Sequence, residues 1–110
     1  MKVPLQVAFD GVQHSDAVEA RVREEVQKLE HFHGRIVSAT IVIGKPQKRH
    51  HKGDTFDVRI RLVVPDAPEI VVTREPSDTG AHEDVHVTIR DAFKAVRRQL
   101  QDATEKRAGA

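Results

Sequence analysis

"TFDVRIRLVV", residues 55–64, alternates without a break: Phe56, Val58, Ile60, Leu62 and Val64 fall on one side, and Asp57, Arg59 and Arg61 on the other. A period of two is the mark of a strand with one apolar and one solvated face. A sheet built from such strands needs cover on one side only, which points to a two-layer domain. Working downstream, "PDAP" (65–68) turns the chain and "EIVVTR" (69–74) reads as a short further strand. Upstream, "IVSATIVIG" (36–44) places Val37, Ala39, Ile41 and Ile43 on one face, and "VPLQVAF" (3–9) does the same with Val3, Leu5, Val7 and Phe9.

Two segments change period. Val18, Val22, Val26 and Leu29 recur at helical spacing, with Asp16 and Glu19 as an expected capping box and Gly34 as the natural stop. After a loop with Pro76 and Gly80, Val85, Ile89, Ala92, Phe93, Val96 and Leu100 share one face of a second helix. The order is therefore β-α-β-β-β-α. A strand–helix–strand unit makes a right-handed crossover between parallel strands, and the short later connections favour antiparallel neighbours. The expected fold class is α+β: a two-layer sandwich, its four-stranded sheet carrying both helices on one face. Phe9, Val26, Leu29, Ile41, Phe56, Ile60, Ile89, Phe93 and Val96 are the expected core. One domain is expected over residues 1–103, with 104–110 as a disordered tail.

Composition narrows the function. The 110 residues contain no Cys, so disulfides, cysteine zinc knuckles and thiol chemistry are excluded. No apolar run approaches a membrane span, and the N-terminal "MKVPLQVAF" lacks the apolar core of a leader. A cytoplasmic protein without membrane contact is expected. Four Phe with no Trp or Tyr leave few rings for base stacking.

"HEDVH" (82–86) matches H-E-x-x-H, in which two imidazoles one turn apart grip zinc and the glutamate acts as general base. The extended form of that motif has a glycine at position 89 and a third histidine at position 92, where Ile89 and Ala92 stand. The string also falls where the last helix begins, and acids at a helix start complement its dipole. It reads as a helix start, with a zinc hydrolase as the minor alternative. No catalytic residue, cofactor, metal site or small-molecule substrate is expected; adventitious zinc or nickel binding by the histidines is the sharper alternative to seven exposed polar residues.

The net charge of +1 conceals segregation. "KPQKRHHK" (45–52) holds Lys45, Lys48, Arg49 and Lys52 and no acid, whereas Asp66 to Asp84 contains six acids against Arg74 alone. On the last helix Arg90, Lys94 and Arg97 form a stripe with Arg98 at its edge, away from the apolar face. On the first helix Arg21 and Lys28 share a flank that Glu24 and Glu25 dilute. Bases on three elements, with few aromatic or base-reading groups, are the footprint of a phosphate-backbone binder, with an unrelated solvated surface as the alternative that composition leaves open.

These residues also carry a resemblance. The element order, "KLEHF" (28–32), the "HHKGDTFDVRIRLVVP" hairpin (50–65) and "EDVHVTIRDAFKAVRRQL" (83–100) resemble the ribosome hibernation-promoting factor family, also called ribosome-associated inhibitor A or sigma-54 modulation proteins. The likeness spans Val3 to Gln101 and rests on the ordered set. Lys28 matches the lysine of the family's K-L-x-x-F pattern, and Asp84, Ile89, Arg98, Gln99 and Leu100 match its D-x-Y-x-A-I…R-Q-L helix. His86 stands for the usual Tyr, Thr88 for the small Ala, and the basic cluster after R-Q-L is reduced to Lys106 and Arg107. The resemblance implies a non-catalytic translation inhibitor, in the short form or as a module of a larger protein, on small-subunit rRNA in the mRNA and tRNA channel. It implies Lys28 and Arg98 as rRNA contacts, with Ile89 and Leu100 in the core. Lys28, Lys45, Lys48, Arg49, Lys52, Arg90, Lys94, Arg97 and Arg98 are the expected RNA-binding residues of a protein monomeric off the ribosome. A generic RNA-binding or RNA-chaperone domain is the alternative.

Overall fold

The computed structural model describes residues 4–32, 35–44, 56–65, 67–74 and 85–108. Its elements are β1 (Leu5–Asp10), α1 (Asp16–Phe32), β2 (Ser38–Gly44), β3 (Asp57–Val63), β4 (Ile70–Arg74) and α2 (Val85–Ala108). The strands lie in the order β1-β2-β3-β4, with β1 parallel to β2 and the other two pairings antiparallel. The fold is the expected α+β sandwich. Among the described residues no helix is long and apolar enough to cross a membrane.

Register shows why the inner face is continuous. Leu5, Ala39, Leu62 and Ile70 align across the four strands, and Val7, Ile41, Ile60 and Val72 form the next row. Phe9, Ile43 and Val58 make a third row, which Arg74 closes at β4. Val22, Val26 and Leu29 of α1 and Ile89, Ala92, Phe93, Val96 and Leu100 of α2 join these rows in a single core cluster. One cluster shared by both helices and one sheet face puts both helices on that face. Each Leu, Ile or Val taken out of water there contributes about 1.5–3 kcal/mol before conformational entropy is subtracted. Gly11, at φ 70°, turns the chain out of β1 in a backbone conformation that costs a glycine little.

Several local expectations need correction. The cap of α1 is Ser15, whose Oγ accepts from the Val18 N–H at 3.3 Å, rather than Asp16 in a box with Glu19. A serine one residue earlier reaches the third helical N–H, and Glu19 is engaged instead by His14 and Arg23. Phe9 and Phe56 flank the core half-buried, because Phe9 belongs to an edge strand and Phe56 precedes β3. Val37 is half exposed, lying just before β2 begins. Asp57 belongs by register to the outer face, opposite Gly44, yet is buried. Alternation assigns a side of the sheet, not how well that side is covered. α2 itself runs from Val85 to Ala108. Gly34 falls outside the described residues.

Candidate nucleic-acid interface

Two stripes of identical spacing build the site. On α1, Arg21, Glu25 and Lys28 stand at i, i+4 and i+7; on α2, Arg90, Lys94 and Arg97 repeat it. Such positions share one helix face. Because α1 and α2 lie side by side over the sheet, the two stripes line one cleft of about 300 Å³, with Phe93 in its wall. Lys28 and Arg90 are each 54% exposed at the side chain, whereas the Glu25 side chain is only 9% exposed.

Five cations thus face one carboxylate. Arg21 Nε donates to Glu25 Oε2 at 3.1 Å, and Lys28 Nζ lies 3.5 Å from the same oxygen. Lys28 also pairs with Glu24 at 3.7 Å. At one flank Asp91 draws Arg90 at 3.5 Å and Arg74 at 4.0 Å, tying α2 to β4. At the other, Arg97 Cζ stands 5.4 Å from the centre of the Phe32 ring, within cation–π range. Lys94, Arg97 and Arg98 are exposed. The arrangement offers hydrogen-bond donors and positive charge to phosphates; it presents no nucleophile paired with a base.

Of the expected contacts, Lys28, Arg90, Lys94 and Arg97 come together in the cleft, and Arg98 is exposed on α2 outside its lining. Lys45, Lys48, Arg49 and Lys52 lie outside the described residues, as do His82 and Glu83. Arg59 and Arg61 belong to the outer sheet face, away from the helices, where Arg61 pairs with Glu69 at 3.3 Å. They therefore do not extend the helical surface. Arg21, Glu25 and Phe93 are additions to the site. The i, i+7 relation of Arg21 to Lys28 is the sequence signal that points to the first of them. Among the described residues no three His, Cys, Asp or Glu side chains group as metal ligands.

The class is thus defined by structure: a small four-stranded α+β sandwich with a cationic cleft between its two helices. Residues 5–108 match the family described as Sigma 54 modulation protein / S30EA ribosomal protein. The chain belongs to that family, which places it among ribosome-associated proteins. No curated protein matches it significantly. Among solved structures, a ribosomal subunit interface protein from Coxiella burnetii superposes with a TM-score of 0.73 at 16% identity, covering 94% of this chain and 99% of that one. The N-terminal domain of Thermus thermophilus Protein Y gives a TM-score of 0.67 at 14% identity, covering 91% and 98%. At these identities the likeness is one of fold.

Proposed function

We propose that this protein is a non-catalytic translation inhibitor, a hibernation factor that sets its helical face on small-subunit rRNA in the channel used by mRNA and tRNA. The observation that carries the reading is the convergence of Lys28, Arg90, Lys94 and Arg97, from helices distant in sequence, on one cleft in a member of this family. The name of the Coxiella burnetii neighbour, a ribosomal subunit interface protein, supports the same placement. Inhibition follows from occupancy: a domain filling the decoding channel excludes mRNA and tRNA without breaking a bond. Arg98 and the loop cations Lys45, Lys48, Arg49 and Lys52 would widen the contact. The protein would act in the cytoplasm as a monomer, without cofactor or small-molecule substrate.

Phosphate contacts release counterions, so binding should weaken steeply as salt rises. The test is joint replacement of Arg90, Lys94, Arg97 and Arg98 by Glu, with circular dichroism showing the variant folded. Loss of co-sedimentation with small subunits and relief of cell-free translation are the expected results. A folded variant that binds and inhibits like the parent refutes the assignment. Equal competition by unrelated free RNA would identify a generic RNA-binding domain instead.

A further inference from the structure

Four phenylalanines are the whole aromatic complement of this chain, apart from histidine. Phe93 is buried, and Phe9 and Phe56 pack half-buried against the core. Phe32 is different: it is the last residue of α1 and remains 46% exposed. Nor does it belong to a plain apolar patch. Lys28 stands one turn before it on the same helix, and Arg97, which lines the cleft, also covers the ring at 5.4 Å.

A ring held among phosphate-binding cations is the pairing that single-stranded nucleic acid requires. Lysines and arginines follow the backbone, while an aromatic face receives a base whatever its identity. A guanidinium over the ring adds a second flat, cationic surface on which a base can stack. We propose that Phe32 is a base-stacking residue: an unpaired nucleobase of rRNA docks on the Phe32–Arg97 pair while Lys28 and its neighbours hold the adjoining phosphates. The inference rests on the rRNA reading above. It adds to that reading a requirement for single-stranded RNA at the end of α1, because bases within a duplex offer no free face.

Stacking and charge pairing separate by their salt dependence. Phe32→Ala and Phe32→Leu should weaken binding to purified small subunits about tenfold or more, the size of one lost base stack. The dependence of affinity on salt should stay that of the parent, since no phosphate contact is removed. Phe32→Trp should keep affinity and introduces the one tryptophan of the chain. Its fluorescence should be quenched when a short single-stranded oligoadenylate is added at low salt. Parent-like binding by Phe32→Leu overturns the proposal in favour of an apolar protein contact. A salt slope that falls by about one phosphate, roughly 0.7–0.9, overturns it in favour of a ring that only holds Arg97. Unquenched Phe32→Trp under oligoadenylate saturation also overturns it. Should the parent fail to bind small subunits at all, the proposed function falls, and the oligoadenylate measurement alone decides the stacking.

Discussion

Arg21 and Glu25 stand one turn apart on α1, and the Arg21 Nε donates to Glu25 Oε2 across 3.1 Å inside the cationic cleft. Lys28 reaches the same oxygen at 3.5 Å, so a single carboxylate engages two of the five cations. An RNA phosphate entering the cleft must compete with that internal anion. Glu25→Gln preserves the shape of the side chain and removes its charge. Binding to small subunits should become tighter, and its salt dependence steeper by about 0.7–0.9 for each added phosphate contact. The stability change should stay within about 1 kcal/mol, because Arg21 remains partly exposed to solvent. Titrations at several salt concentrations check this; a variant binding no tighter than the parent shows that Glu25 does not compete with RNA.

Phe93 joins the core to the site. It is 4% exposed, packed with Ile89 and Val96, yet part of the cleft wall. Phe93→Ala should cost about 3–5 kcal/mol in urea unfolding, from lost burial and the cavity left behind. RNA binding should fall only as far as the folded fraction falls. A cost below about 1 kcal/mol would mean that α2 is not anchored through this ring.

Glu19 supplies an acid-sensitive support at the start of α1. A hydrogen bond from His14 first, and then one from Arg23, hold its carboxyl below the usual carboxylate range. A group depressed in this way favours the folded state above its unfolded pKa and loses that contribution as pH falls through its folded pKa. The acid side of a melting-temperature profile should therefore be shallower in Glu19→Gln, and the variant should be less stable than the parent at neutral pH. In His14→Ala, NMR titration of the Glu19 carboxyl should show its pKa moved back up. An unmoved titration would assign the depression to Arg23 alone.

The architecture was legible wherever burial follows a simple period. The alternation through Phe56 to Val64 predicted the inward set of β3, and the spacing of Val18, Val22, Val26 and Leu29 predicted the buried face of α1. Such patterns state direction and little else. They missed the cover over Asp57, and could not tell that Ser15, one residue earlier, would cap α1 in place of Asp16. The α2 half of the site was visible as the stripe of Arg90, Lys94 and Arg97. Its union with Arg21 and Lys28 was not, because helical spacing fixes which residues share a face of one helix, not which flanks of two helices meet when they pack side by side. Phe32 reads in sequence as one more apolar residue ending a helix; only packing shows that the core leaves it out.

The two-sided charge distribution allows a last discrimination. Arg59 and Arg61 project from β3 on the face opposite the helices, in register with Thr73 and Val71 of β4. If attraction to RNA depended only on total positive charge, removing them would matter as much as removing two cations from the cleft. If the helical face is the contact, they lie on the far side of the sheet and screening weakens their influence. Arg59→Gln with Arg61→Gln should leave co-sedimentation with small subunits within about twofold of the parent at 0.15 M salt. Lys28→Gln with Lys94→Gln removes the same formal charge and should weaken it by an order of magnitude or more, with the salt slope lowered by about two phosphates. Equal losses from the two pairs would mean that the sheet face shares the contact. A larger loss from the β3 pair would reverse the orientation of the domain on the ribosome.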